Sequence, residues 1–374
     1  MACTQAFQRE RGALMSTELR HVMFFIAFLI TLLLAANAPA QPGSTPRPAF
    51  DEKAVADFYR GKVIKIVIGA GPGGIYDIYS RLMARHMPRY IPGNPTIIVQ
   101  PKPGAGGLIA ANSVYNVEPK DGTVIGSFGE TFVLRQAIGA PGIEFDSAKY
   151  QWIGSAIRTA VACVARTDSA VASFRDVMEG KPLTVGTMAP GSAIYDTPAI
   201  INAALGTRMN LVRGYRGVAE IVLATEAKEV DGYCAAWQAM LTTGRHPRLL
   251  QAGIIRAVVI MGDKTPDHPL LKGVPAAEAL ARTEEARQLL RAMHAPSKIY
   301  VPYVVHPEVP KDRAEALRKA FWATYTDPEF VADAKRTGGI EFTPSTGEQV
   351  TQVVQAILNT PPAVLSRMKK ILVQ

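Results

Sequence analysis

The chain has 374 residues, of which 48% are apolar and 20% are charged, and only three are cysteine. This length and composition exclude a disordered chain, a coiled coil and a small disulfide-rich scaffold, and they predict about two globular domains. The formal net charge is +9, but no run of five or six basic residues indicates a nucleic-acid-binding tail. We interpret the positive charge as a solubilising surface or as an attraction for small anions.

The first forty residues have the layout of a secretory signal peptide. Arg20 precedes fifteen nearly unbroken apolar residues, 22–36. The small residues Ala38-Pro39-Ala40 come after this apolar stretch. Fifteen apolar residues are fewer than the roughly 20 that a spanning helix needs. We therefore predict a cleavable signal peptide over 1–40 and a periplasmic location, with a retained membrane anchor as the alternative. Translation begins at Met1 or at Met15.

A linker and then an alternation of strands and helices follow the signal peptide. Residues 41–58 begin with a segment rich in Pro, Gly and Ser and are predicted to be a linker. From residue 62 onward, β-branched strands alternate with glycine-rich turns and helices that carry an apolar stripe, which is typical of parallel α/β units. The predicted strands are 62–68, 96–99, 123–128, 183–186, 230–235 and 254–261. The predicted helices are one from Asp77 up to Pro88, 108–115, one that starts at Asp196, 218–227, and one after a capping box of Ser345 and Glu348.

Two glycine-rich turns follow the first two predicted strands, at residues 69–74 and 104–107. The first turn satisfies the G-x-G-x-x-G pattern of dinucleotide-binding proteins. That interpretation is disfavoured because no acidic residue ends the second strand and because nicotinamide cofactors are not available to an exported protein. Exposed glycine N–H groups at the start of a helix do suit a carboxylate or a phosphate. We predict that both turns bind one small anion; the alternative is that they are only tight turns.

The sequence lacks the common local signatures of catalysis and metal binding. The six histidines have no HxxH or HExxH spacing, neither Ser127 nor Ser192 lies in G-x-S-x-G, and there is no Cys-x-x-Cys. We expect a binding protein and not an enzyme, with no cofactor, no metal and no nucleic-acid partner. Cys163 and Cys234 form a disulfide or remain two buried thiols, and the sequence favours neither.

A set of short motifs along the chain carries a family resemblance. Residues 72–77 with Ser80-Arg81 are similar to P-G-G-x-x-D-x-x-A-R, and residues 103–107 and 119–123 are similar to R-P-G-A-G-G and P-x-D-G-Y/H-T. In this order and at this spacing the motifs resemble those of the tripartite tricarboxylate transporter substrate-binding proteins, also called Bug receptors. The resemblance covers most of residues 60–374 and continues through Gly191-Ser192, Tyr215-Arg216-Gly217 and Val230-Asp231.

The resemblance implies a two-domain α/β receptor with the type II periplasmic-binding-protein fold. We expect a discontinuous domain 1, residues 59–160 and 265–374, and an inserted domain 2, residues 161–264. The implied function is capture of a small carboxylate-containing solute by domain closure and its delivery to the integral membrane permease subunits of the transporter, by a monomeric receptor. The alternatives are a periplasmic sensor for a signalling partner and, less favoured, a secreted hydrolase.

The residues assigned to ligand binding come from both expected domains. Asp77 is expected to cap its helix and to position water, because a bare carboxylate repels an anion. Glu130 is expected to accept a hydrogen bond from a ligand hydroxyl or ammonium; the alternative is a solvated loop acid. Tyr195 stands where family members often have His, which leaves the ligand's identity open. The predicted ligand-binding residues are Gly73, Gly74, Tyr76, Asp77, Gly106, Gly107, Glu130, Gly191, Ser192 and Ala193.

Overall fold

Two β-sheets with helices packed against them make up the part of the chain that the structure, a computed structural model, describes: residues 50–338 and 340–373. The predicted signal peptide and residues 41–49 of the predicted linker lie outside the described residues. Within the described ranges, no helix is both long enough and apolar enough to span a bilayer.

The strands and helices are numbered in chain order. The strands are β1 (Val63–Ile68), β2 (Thr96–Pro101), β3 (Val124–Ser127), β4 (Gln151–Ile157), β5 (Val161–Arg166), β6 (Thr184–Gly186), β7 (Asn210–Val212), β8 (Gly232–Ala236), β9 (Ile255–Met261), β10 (Tyr300–Val305) and β11 (Ser345–Thr346). The α-helices are α1 (Glu52–Tyr59), α2 (Ile75–His86), α3 (Leu108–Asn116), α4 (Thr131–Ala137), α5 (Phe174–Met178), α6 (Ala193–Leu205), α7 (Val218–Glu226), α8 (Trp237–Thr242), α9 (His246–Gln251), α10 (Ala277–Leu280), α11 (Glu284–His294), α12 (Lys311–Thr326), α13 (Pro328–Arg336), α14 (Gly347–Leu358) and α15 (Pro362–Leu372).

The first sheet has six strands in the order β11-β4-β10-β3-β1-β2. Strand β1 is parallel to β2 and to β3, whereas β10 is antiparallel to β3 and β4, and β11 is antiparallel to β4. Strands β1, β2 and β3 form the parallel arrangement that the α/β units predict. The antiparallel strands were not predicted, and they come from later in the chain. The carboxyl ends of β1, β2 and β3 therefore meet at one edge, where the glycine-rich turns begin.

The second sheet has five strands in the order β7-β6-β8-β5-β9, with β6 parallel to β7 and β8, and β5 antiparallel to β8 and β9. Its strands all lie between residues 161 and 261, and the strands of the first sheet lie before and after this segment. The mixed α/β fold class is confirmed. The division into domain 1 and domain 2 at the stated residues stays a prediction.

Strand β1 and helix α2 position the first glycine-rich turn. Ile64, Ile66, Val67 and Ile68 of β1 are fully buried, as expected for a parallel strand that is covered on both faces. Helix α2 begins at Ile75, two residues before the predicted start at Asp77, with Gly74 as its N-cap. The turn at 69–74 is thus held between a buried strand and the amino end of a 12-residue helix.

The predicted linker 41–58 is wrong at its carboxyl end, where Glu52–Tyr59 form helix α1. The Asp51 side chain caps this helix by accepting a hydrogen bond from the N–H of Ala54 at 2.9 Å. Val55 and Tyr59 are four residues apart and both buried, so they form a short apolar face that anchors the helix. Such a two-residue face is too brief to register as a periodic pattern.

Two predicted helix starts are also corrected. Helix α6 begins at Ala193 with Ser192 as N-cap, so Asp196 lies in its first turn and Pro198 lies inside the helix. The capping box before α14 is formed by Thr346 and Gln349, one residue later than predicted, because the helix begins at Gly347 and so has Thr346 as its N-cap.

Cys163 and Cys234 form a disulfide, which settles the alternative that the sequence left open. They lie directly opposite each other on the antiparallel strands β5 and β8, and both are fully buried. The bond closes a loop of 71 residues within the second sheet.

We predict that replacing both cysteines by alanine lowers the free energy of unfolding by about 4 kcal/mol, because the crosslink restricts the unfolded chain. Urea unfolding of the wild type and of the Cys163→Ala/Cys234→Ala protein measures this difference. A reducing agent should destabilise the wild type and leave the double variant unchanged. Equal stability of the two oxidised proteins would contradict the prediction.

Candidate ligand-binding site

Three loops pack backbone against backbone at the carboxyl edge of the six-stranded sheet. A Cβ atom at Gly69 would lie 2.7 Å from the Cα of Gly107 and 2.8 Å from the Cβ of Phe128, and one at Gly129 would lie 2.9 Å from the carbonyl oxygen of Gly106. Real side chains do not tolerate such distances. Glycine at 69 and 129 therefore lets the turns after β1, β2 and β3 approach one another, which brings Gly106 and Gly107 beside the first turn.

Asp77 fixes the first glycine-rich turn to helix α2. Its Oδ2 accepts a hydrogen bond from the N–H of Gly73 at 2.9 Å, and its Oδ1 accepts one from Nε of Arg81 at 2.8 Å. The side chain is buried, and Gly73 has a φ of +78°, which favours glycine. With both oxygens engaged, Asp77 supports the turn and the helix start.

The loop before helix α6 repeats this arrangement on the five-stranded sheet. The N–H of Gly191 donates to Oδ1 of Asp196, in the first turn of α6, at 2.9 Å. Gly191 has a φ of +97°. Ser192 caps the helix: its hydroxyl accepts from the N–H of Tyr195 at 3.3 Å and donates to the carbonyl of Ala189 at 2.8 Å. Each sheet thus presents a glycine-containing loop that a first-turn aspartate holds at a helix start.

The loops of the two sheets touch. A Cβ atom at Gly106 would lie 3.4 Å from the carbonyl oxygen of Gly191. Thr131, the first residue of α4, donates a hydrogen bond from its hydroxyl to the same carbonyl at 3.4 Å. The predicted residues Gly106 and Gly191 therefore lie together. Gly74 is the N-cap of α2, and Ala193 is the first residue of α6.

Glu130 lies at the end of the loop that follows β3 and is buried, with 4% of its surface exposed. The alternative of a solvated loop acid is therefore wrong. The hydroxyl of Tyr76 donates a 2.5 Å hydrogen bond to Glu130 Oε2, and the ring of Tyr300 packs 5.8 Å from that of Tyr76. Burial raises the pKa of Glu130 to about 7, since the charged form loses its hydration; the hydrogen bond from Tyr76 opposes this effect.

Arg135 is a residue of the site that the sequence did not single out. Its Nη1 lies 4.0 Å from Oδ2 of Asp196 and is buried without a hydrogen-bond partner among the described residues. Burial raises the pKa of Asp196 to about 6, and the charge of Arg135 opposes that shift. An arginine on a short helix carries no local sign that its guanidinium group will pack against a distant loop, so only the tertiary structure reveals this role.

The fold is the one shared by solved periplasmic binding proteins. The periplasmic binding protein BugD has the same fold with a TM-score of 0.64, at 19% identity over 84% of this chain and 98% of that one. MatC from Rhodopseudomonas palustris, solved with bound malate, has a TM-score of 0.61, at 17% identity over 82% of this chain and 98% of that one.

The sequence places the protein within one family of that class. The tripartite tricarboxylate transporter family receptor model matches residues 81–369. A UPF0065 protein from Bordetella pertussis is 24% identical over 311 residues, which are 81% of this chain and 88% of that protein. The chain belongs to the tripartite tricarboxylate transporter receptor family, and the predicted resemblance is confirmed. The family consists of extracytoplasmic solute receptors and not of enzymes.

We predict that Glu130→Gln removes a pH dependence of stability. The folded-state pKa of Glu130 is about 7, above its ordinary value of 4.5, so its favourable contribution is complete below about pH 4.5 and is lost as the pH rises through 7. Relative to the variant, the wild type should lose up to about 3 kcal/mol of unfolding free energy between pH 4.5 and 8.

Urea unfolding at a series of pH values measures this difference. The exposed Glu179→Gln substitution removes the same charge and is the control, whose profile should follow that of the wild type. Parallel profiles of Glu130→Gln and wild type would contradict the burial of an ionisable carboxyl at this position.

Proposed function

We propose that the protein captures a small carboxylate-containing solute outside the cytoplasm and delivers it to the membrane permease of a tripartite tricarboxylate transporter. One observation carries the proposal: two glycine-containing loops, one from each sheet and each at the start of a helix, meet at Gly106 and Gly191. Family membership and the fold shared with the malate-bound MatC support the same conclusion.

Backbone N–H groups supply the charge recognition in this proposal. The amino ends of α2 and α6 carry the positive ends of their helix dipoles, and unpaired N–H groups at such ends bind anions. Asp77 and Asp196 each accept one loop N–H and so hold the loops in shape. The N–H of Ser192 donates to the carbonyl of Ala189, so the ligand would be bound by N–H groups of the first helical turns, beginning at Gly74 and Ala193. The ligand-binding residues are those predicted from the sequence, with Asp77 in a supporting role.

Glu130 selects among carboxylates in this proposal. Tyr76 engages one of its oxygens, and the carboxyl group lies beside the loop that follows β3. A ligand hydroxyl or ammonium next to the bound carboxylate would donate to Glu130. Hydroxy acids and amino acids are therefore favoured over simple alkyl dicarboxylates, whose methylene groups offer no donor to the second oxygen of Glu130.

Ligand capture proceeds by closure of the two predicted domains. A solute that contacts both loops binds the closed form more tightly than the open form and shifts the population toward it. The permease then recognises the closed form. A sensor for a signalling partner would use the same closure, and the transporter family to which the chain belongs favours delivery to a permease.

We predict that a thermal-shift screen of the purified protein finds a hit among hydroxy acids, amino acids and di- or tricarboxylates, malate included. A solute at about 100 times its dissociation constant stabilises the protein by about 2.7 kcal/mol, which raises the unfolding temperature by several degrees.

Gly74→Val tests the site directly. Gly74 has an extended backbone that valine also adopts, and a Cβ atom there would lie no closer than 3.7 Å to a neighbour. The variant should keep the unliganded unfolding temperature and lose the ligand shift, because the side chain covers the loop N–H groups. Ala54→Val, at an exposed position of α1, should keep the shift. A screen without hits on folded, ligand-free protein would overturn the carboxylate proposal.

A further inference from the structure

Two side chains of helix α4 reach the glycine loop of the other sheet. Thr131 and Arg135 are four residues apart and so lie on the same face of the helix. The Thr131 hydroxyl donates to the carbonyl of Gly191, and a Cβ atom at Gly191 would lie 2.5 Å from Nη1 and 2.6 Å from Cζ of Arg135. The guanidinium group therefore packs directly on the backbone of Gly191, on space that only glycine leaves free.

Opposite charges meet at this contact, where Asp196 is buried and Arg135 is partly buried. The side chain of Arg135 is 17% exposed and that of Asp196 is 2% exposed, and 4.0 Å separate their nearest nitrogen and oxygen. A buried ion pair at this distance adds little net stability, but loss of one partner leaves the other charge buried without compensation, which is strongly unfavourable. Removal of Arg135 should therefore force Asp196 toward solvent and take the Gly191 loop away from the Gly106 loop.

We propose that Arg135 is a positioning residue, which holds the Gly191 loop against the Gly106 loop so that the two form one binding surface. This inference rests on the proposed function, because the two loops that Arg135 holds together are proposed to bind the anion. The first glycine-rich turn, at residues 69–74, has its own arginine–aspartate pair, Arg81 and Asp77, but that pair is four residues apart on one helix, with Arg81 52% exposed. The Arg81 pair stabilises a loop within one sheet, whereas the Arg135 pair joins loops of two sheets.

The experiment measures the distance between the two sheets without any added solute. Spin labels are attached to Val117→Cys, at a position 78% exposed, and to Glu179→Cys, at an exposed position between β5 and β6 of the second sheet. Cys3 is replaced by alanine so that it is not labelled. Apart from the two labelled positions, the remaining cysteines are then Cys163 and Cys234, which the disulfide joins. Pulsed electron–electron double resonance then compares the parent with Arg135 and Asp196 variants, and the unfolding temperature of each shows that it is folded.

Arg135→Met keeps the alkyl stem and removes the charge, and we expect it to shift the label distances to longer values. Asp196→Asn keeps an oxygen for the Gly191 N–H and should also lengthen them. Arg135→Lys, which retains the charge, and Arg60→Gln, which removes an arginine that is 70% exposed at the end of helix α1, should match the parent.

Unchanged distances in both Arg135→Met and Asp196→Asn would overturn the inference. The Asp196→Asn protein keeps the test decisive if Arg135→Met does not fold. Because no ligand is used, a negative result here leaves the ligand screen untouched, and a screen without hits leaves the distance measurement valid.

Discussion

The close packing of glycine backbones at the carboxyl edge of the six-stranded sheet is the constraint on which the site depends. Gly69 leaves the space that the Cα of Gly107 occupies, so the turns after β1 and β2 converge at the amino ends of α2 and α3. The loop after β3 joins them and continues into α4. Helix α4 carries Thr131 and Arg135, whose side chains contact the Gly191 loop of the second sheet. The close packing at Gly69 therefore helps to position the loops of both sheets.

The electrostatics of the site depend on which groups pair with each of its acidic side chains. Asp77 and Asp196 lie near the proposed anion site, yet each is satisfied by a loop N–H and lies near an arginine. Their negative charges are therefore used to shape the loops, and the helix dipoles and remaining N–H groups face the ligand. Glu130 differs, because Tyr76 is its hydrogen-bond partner and burial brings its pKa close to neutrality. The site thus combines groups that attract an anion with one acid suited to a neighbouring donor.

Local sequence patterns predicted the strand, turn and helix that build the first loop, because a β-branched run, a glycine cluster and an apolar stripe follow one another closely along the chain. The motifs that identify the family lie in the same segment. Features set by distant residues escaped prediction. The pairing of Cys163 with Cys234 depends on the register of β5 and β8. The packing of the Arg135 guanidinium group depends on a loop 56 positions away, and the mixed sheet depends on strand β10. Helix α1 was missed because its apolar face has only two residues.

A crystal structure of the protein with a bound carboxylate, either malate or a solute retained through purification, tests the central claim most directly. The account predicts that the carboxylate oxygens accept hydrogen bonds from backbone N–H groups at the amino ends of α2 and α6, those of Gly74 and Ala193 among them, with the solute between the two sheets. A carboxylate held by side chains elsewhere on the molecule, with both glycine loops making no contact to it, would contradict the account.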